Sequence, residues 1–226
     1  RTPIAAIRAQ AQVALAESDD ALRHHALRAT LEGCDRATRL VEQLLTLARL
    51  EAEGTADDGA GGAAVLPAID LAAIARRVCA ELAPQALARG QQLELEADAP
   101  CPLPGDAALL AVLLRNLIDN ALRYSPAGAC VRVAVQPGPL LQVQDSGPGL
   151  PDADRARLGE RFFRARRSDA TPDAETQDAA SGSGSGSGLG WSIVRRIAAL
   201  HRLEVAVGRS GALGGLAVML TAARPD

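Results

Sequence analysis

A chain of 226 residues, 48% hydrophobic and 23% charged with a formal net charge of −3, has room for one large domain or two small ones and the balance of a globular protein. The slightly acidic balance gives no reason to expect nucleic acid as the main partner, and no apolar run approaches the ~20 residues of a membrane-spanning helix. Aromatic residues make up only 2%, so the core has to be built from Ala, Leu, Val and Ile. The four cysteines, Cys34, Cys79, Cys101 and Cys130, are widely spaced and form no CxxC pair or Cys/His cluster. Neither a zinc site nor a disulfide framework is indicated, and reduced thiols in a cytosolic setting fit best. The chain opens on Arg1 inside a helical pattern, with no signal peptide, and is expected to be a piece of something longer.

Residues 4–17 are Ala-rich and periodic, which predicts a helix; Ser18-Asp19-Asp20 is a turn and a good helix start. A long helix is predicted from Asp20 to Leu50. Its apolar positions Leu27, Leu31, Cys34, Thr38, Val41, Leu45 and Ala48 alternate in steps of four and three, which is heptad spacing, and Leu40, Leu44 and Leu47 form a second stripe. So wide an apolar face needs more than one partner helix. Two such helices joined by a short turn make an αα-hairpin, and two hairpins make a four-helix bundle, so a homodimer is expected. Glu53 to Ala64 is Gly- and Asp-rich without periodicity and reads as a linker. Beyond it helices are predicted over 70–88, 106–123 and Leu189–Leu200, and strands over 92–97, 130–135, 140–145, 203–208 and 216–221. These do not alternate regularly, so the expected class is α+β rather than a doubly wound sheet. Residues 169–188 are polar, end in SGSGSGSG and read as a low-complexity loop.

Four segments carry chemistry, and each has a plain structural reading beside it. In LLRNLIDNALRYSP (113–126), Asn116 and Asn120 share one helix face and can offer amide oxygens to a hard cation such as Mg²⁺; Arg123 can reach phosphate, and Tyr124 offers a flat face to a base. Solvated asparagines on a surface helix are the plain alternative. In VQDSGPGL (143–150), a strand runs into Asp145, whose carboxylate can accept from an exocyclic amine, while Gly147 and Gly149 let backbone approach a ligand; an ordinary Gly-Pro turn is the alternative. ERFFRARR (160–167) holds the chain's two phenylalanines, Phe162 and Phe163, as a plug or as the anchor of a mobile loop, with Arg161 or Arg164 available to phosphate. In GSGLGWSIV (186–194), Gly186, Gly188, Leu189 and Gly190 run into a helix whose N-terminus can cradle phosphate. No Lys-Ser/Thr follows those glycines, so this is not a Walker A loop, and a linker entering a helix is the alternative.

Taken in order, the four segments resemble the N, G1, F and G2 boxes of the histidine-kinase ATP-binding domain, whose GHKL (Bergerat) α/β-sandwich fold is shared with gyrase, Hsp90-type chaperones and MutL. RTPIAAIRAQ looks like the continuation of the H box, H-E-L-R-T-P-L, and DRATRLVEQLLTLARLE (35–51) looks like the second helix of the dimerisation and phosphotransfer hairpin. The chain is similar to the branch of sensor kinases related to the QseC and TctE proteins. The resemblance implies a hairpin domain over 1–52, a linker over 53–66 and a catalytic domain over 67–226. It implies ATP and Mg²⁺, with Asn120 holding the metal beside Asn116, Arg123 on phosphate, Asp145 on the adenine amine and Tyr124 against the ring. Phe162, Phe163 and Arg164 would flank a lid that closes on the phosphates through Gly186, Gly188 and Gly190. It implies a response regulator as partner, and Thr2 becomes a candidate for its dephosphorylation. Attachment to a membrane would come only through upstream segments of an inner-membrane sensor. The H box starts here at its Arg, so the acceptor histidine is absent and the chain is expected to bind ATP without phosphorylating itself. His24, His25 and His201 lack the H-box context and are expected to be solvated or capping residues. Another ATPase of the same fold, or a non-enzymatic dimeric nucleotide-binding module, stays open as an alternative.

Overall fold

A computed structural model of the chain describes residues 3–56, 67–136, 141–158 and 189–223. The chain divides into a first unit of Arg1–Ala52 with Arg166–Leu189 and a second unit of Glu53–Ala165 with Gly190–Asp226, which holds every strand described.

The first unit holds α1 (Pro3–Ala16) and α2 (Asp20–Ala56). Asp19 starts α2: its Oδ1 accepts from the backbone N–H of Ala21 at 2.8 Å and of Leu22 at 3.0 Å, satisfying donors that the first turn leaves orphaned. The composition predicts linker from Glu53, but α2 continues through Ala56. Glu51, Ala52 and Glu53 are good helix formers, and the one glycine that follows, Gly54, costs only about 1 kcal/mol. The rest of the expected linker, 57–66, lies outside the described residues. Every member of the heptad stripe, Leu27, Leu31, Cys34, Thr38, Val41, Leu45 and Ala48, is exposed in the single chain. The side chains of Leu40, Leu44 and Leu47 lie outside the described residues.

The second unit is a five-stranded sheet under three helices. Its strands are β2 (Gln92–Glu96), β4 (Cys130–Val135), β5 (Leu141–Asp145), β6 (Leu203–Arg209) and β7 (Leu216–Ala222), in the order β2-β4-β5-β7-β6, with β2 and β4 parallel and the other pairs antiparallel. The helices are α3 (Leu71–Ala88), α4 (Ala107–Tyr124) and α6 (Gly190–Leu200), with α4 packed between the other two. Strand alternation sends Val131, Val133, Val143, Val218 and Leu220 to the helix side. There they meet Leu113, Leu114, Leu117 and Ile118 of α4 and Ile193 and Ile197 of α6, all at most 2% exposed. On the other face Arg132 pairs with Glu94 at 2.9 Å and Glu96 at 3.3 Å. Cys79 belongs to the α3 core, and burial pushes its thiol up to about 11, which keeps it protonated and inert.

The sequence pattern misses three short elements. β1 (Ala68–Asp70) and β3 (Pro102–Pro104) form an antiparallel pair, and α5 (Asp152–Ala156) is a single short helix. Pro102 and Pro104 suppress any strand signal at β3 because proline donates nothing to a ladder. None of the described helices is long and apolar enough to cross a membrane.

Side chains clamp both ends of α4. Asp106 caps its start, with Oδ1 accepting from Ala108 N–H at 2.7 Å and Leu109 N–H at 3.0 Å. At its other end the buried Gln91 donates Nε2–H to the carbonyls of Leu122 at 2.8 Å and Ser125 at 2.7 Å. His201, expected to be solvated or capping, is not solvated, being 7% exposed; it caps the end of α6 and bridges two elements. Its Nδ1 lies 2.8 Å from Ile197 O, and its Nε2 accepts the Asp106 N–H at 2.9 Å, so the proton belongs on Nδ1. The imidazole thereby ties the end of α6 to the start of α4. His201→Ala removes both hydrogen bonds and leaves a hole, and is expected to lower unfolding stability by about 2–4 kcal/mol in urea titrations.

Candidate functional site

The site gathers around α4. The helix forms because its apolar residues recur with helical spacing and Asp106 caps it, and that spacing places Asn116 and Asn120 one turn apart. Asn116 is 8% exposed and donates Nδ2–H to Val112 O at 2.8 Å. The Nδ2 of Asn120 is buried with no hydrogen-bond partner among the described residues. A buried amide without a partner costs about 1–3 kcal/mol, so this group is held in place for something other than stability. Gly190, the first residue of α6, runs against both asparagines: a Cβ there would lie 3.0 Å from Asn116 Oδ1 and 3.7 Å from Asn120 Nδ2. The N-terminus of α6, with its positive dipole end, therefore lies beside the asparagine face.

Asp145 closes β5 at the other end of the site and is 7% exposed. Its Oδ1 accepts from Gly147 N–H at 2.9 Å and Leu216 N–H at 3.2 Å. Burial pushes its carboxyl above the ordinary value of 3.8, and the hydrogen bonds from Leu216 and Gly147 oppose that shift. Two observations join this turn to the end of α4. A Cβ on Gly147 would meet Ser125 Oγ at 3.1 Å and Tyr124 O at 3.3 Å, and the Ser125 hydroxyl is itself buried with no partner among the described residues. Gly149 has φ +72°, which only glycine adopts without strain. Tyr124 is 49% exposed, leaving its ring open, and Arg123 lies in the last turn of the same helix.

The structure thus brings together Asn116, Asn120, Tyr124, Asp145, Gly147 and Gly190, with Arg123 and Gly149 on the same elements. Leu189 is 3% exposed just before α6. Thr2, Phe162, Phe163, Arg164, Gly186 and Gly188 lie outside the described residues. Sequence reasoning misses Ser125, whose hydroxyl looks like an ordinary helix-end serine, and the Gly215-Leu216 peptide, which reads as a turn before a strand.

A family model described as Histidine kinase-, DNA gyrase B-, and HSP90-like ATPase matches residues 105–224, and the His Kinase A (phospho-acceptor) domain model matches residues 1–53. The chain is 39% identical over 211 residues to Sensor protein QseC of Escherichia coli K12, covering 93% of this chain and 42% of that protein. It is 33% identical over 231 residues to Sensor protein kinase PmrB of Pseudomonas aeruginosa PAO1, covering 100% of this chain and 44% of that protein. The chain therefore spans less than half the length of the curated relatives it matches. Among solved structures, that of the cytoplasmic segment of histidine kinase QseC aligns with a TM-score of 0.53 at 29% identity, over 84% of this chain and 95% of that one.

Proposed function

The chain belongs to the Histidine kinase-, DNA gyrase B-, and HSP90-like ATPase family and is the catalytic region of a sensor histidine kinase; on that premise we propose that it binds ATP with Mg²⁺ beside α4 and directs the γ-phosphoryl to a histidine, for relay to an aspartate of a response regulator. The observation that carries this reading is the convergence of the Asn116/Asn120 face, the buried Asp145 carboxylate and the α6 N-terminus on one site.

The residues present fit ATP and Mg²⁺. Asn120 is the residue to hold the metal, through its amide oxygen, with Asn116 beside it; the Asn120 Nδ2–H, buried without a partner among the described residues, is left to donate to a ligand oxygen. When bound, Mg²⁺ supplies positive charge between the phosphate oxygens. Asp145 keeps one oxygen occupied by two backbone donors and offers the other to the adenine amine, which selects adenine over guanine. The exposed Tyr124 ring lies against the base, and Arg123 neutralises phosphate charge. Gly147 and Gly149 let the turn approach the nucleotide, and the start of α6 at Gly190 faces phosphate. Phe162, Phe163, Arg164, Gly186 and Gly188 are assigned to nucleotide binding on their match to the family's F and G2 segments. Such chemistry is mostly positioning and charge neutralisation, so a set of orienting groups suffices.

The domain reading follows: a dimerisation and phosphotransfer hairpin over 1–52, a linker up to residue 66 whose first residues extend α2, and the catalytic domain over 67–226. A second copy of the chain covers the exposed heptad stripe. Each leucine buried there contributes about 1.5–3 kcal/mol, so Leu31→Glu combined with Leu45→Glu is expected to shift the protein to monomer in sedimentation equilibrium. Thr2 is a candidate for positioning water in dephosphorylation of the regulator. By its relatives, sensor proteins whose solved counterpart is called a cytoplasmic segment, the chain is the cytoplasmic portion of an inner-membrane sensor.

The test is to supply His-Glu-Leu before Arg1 and incubate with γ-labelled ATP and Mg²⁺. Acid-labile, alkali-stable label on the protein is expected. Release of free phosphate with no label on the protein would overturn phosphotransfer and favour an ATPase of the same fold.

A further inference from the structure

Two adjacent glycines precede β7, and they are glycine for different reasons. Gly214 has φ +86° and nothing within 4 Å of the position a Cβ would take, so its backbone conformation demands glycine. Gly215 is not in the left-handed region, yet it has no space. A Cβ there would lie 2.2 Å from Asp145 Oδ1, 2.4 Å from Asp145 O and 2.7 Å from Gly147 N. Two of those three neighbours are backbone atoms and cannot rotate away.

The same peptide carries the bonds that fix Asp145. The Gly215 N–H donates to Asp145 O at 3.1 Å, the Gly215 carbonyl accepts from Ser210 N–H at 2.8 Å, and the next N–H, of Leu216, donates to Asp145 Oδ1. Among the described residues, the donors to this carboxylate, Gly147 N–H and Leu216 N–H, both fall on Oδ1. Oδ2 is left to accept from a ligand. Only a residue with no side chain lets the 215–216 peptide lie close enough to hold Oδ1 in this way.

We infer that Gly215 is a positioning residue for base recognition: by letting its peptide clamp Asp145, it sets the preference for a purine carrying a 6-amino group. This inference rests on the reading of Asp145 as the contact to the adenine amine. A side chain at 215 pushes Asp145 and the Gly147 turn outward and costs the amine contact, while the phosphate contacts at α4 and α6 stay in place.

The experiment compares ATP with ITP, whose 6-oxo group cannot donate to Asp145, by equilibrium binding to the full chain with Mg²⁺. Gly215→Ala is expected to weaken ATP about tenfold or more and ITP by less than about threefold, so the ATP-over-ITP preference collapses. Gly211→Ala, at a glycine with open space, is expected to keep the wild-type preference. Equal weakening of both nucleotides, or an unchanged preference, in Gly215→Ala overturns the inference. Should that variant fail to fold, Leu216→Pro removes the N–H donor at the first residue of a strand, where proline is tolerated, and adds nothing at 215. Loss of preference supports the inference there, and a retained preference overturns it. Asp145→Asn separates the two readings. If it keeps the preference, the role of Asp145 fails and Gly215 falls with it; if it loses the preference while Gly215→Ala does not, only the role of Gly215 fails.

Discussion

Asn120→Ala is expected to abolish phosphoryl transfer, by about three orders of magnitude or roughly 4 kcal/mol of transition-state stabilisation, while leaving the fold at or above its original stability. The two halves come from one observation. The Asn120 Nδ2 is buried and has no partner among the described residues, so in the free protein it is a cost that the rest of α4 carries. Alanine relieves that cost and is also the better helix former, by about half a kcal/mol. Residues kept against the interest of stability are the ones whose partner arrives with a ligand. Labelling with γ-labelled ATP of the chain preceded by His-Glu-Leu, alongside thermal unfolding of the same variant, measures both. Retained label would remove Asn120 from the metal site. A melting temperature lowered by several degrees would make it a structural residue.

The helices and sheet strands were readable because each carries a local signal. Heptad spacing marks α2, helical spacing of leucines marks α4, and alternation of apolar residues marks β4 and β5. The four chemical segments were readable for a different reason: each is weak alone, but their order along the chain resembles one family. The structure adds what no local signal contains. Gln91 and His201 look like ordinary polar residues, yet one ties off the end of α4 and the other fastens its start to α6. Their partners lie 31 and 95 residues away, and spacing reveals nothing at that range. Gly215 lies in the same class, since its constraint is Asp145, about seventy positions earlier in the chain and on the neighbouring strand β5. The short pair β1–β3 and the end of α2 went astray because prolines hide a strand and a lone glycine does not stop a helix.

Asp145→Asn is expected to weaken ATP binding about 100-fold, or roughly 3 kcal/mol, without destabilising the protein. On the proposed reading the carboxylate serves three donors at once: Gly147 N–H and Leu216 N–H, which fall on Oδ1, and the adenine amine, which would take the other oxygen. An amide has one acceptor atom. If its oxygen faces the two backbone donors, its NH₂ confronts the adenine NH₂; if it flips, its NH₂ confronts the backbone donors instead. Either way two donors oppose each other in a buried place. The free protein responds in the opposite sense. Burial raises the Asp145 pKa, so the residue stabilises the fold while neutral, below its ordinary value of 3.8, and that contribution is lost as the pH rises through its raised folded value. Asparagine carries no charge to desolvate, so the stability advantage of Asp145→Asn over wild type should grow as the pH rises through that window and then level off. ATP affinity of the wild type should fall as the pH is lowered through the same window, because the carboxylate that accepts from the amine is being protonated, and the variant should show no such dependence from this position. Titration calorimetry with ATP and thermal unfolding, both run from acid to neutral pH, read the two trends. ATP affinity in Asp145→Asn equal to that of the wild type would remove Asp145 from the base site, whatever its stability shows.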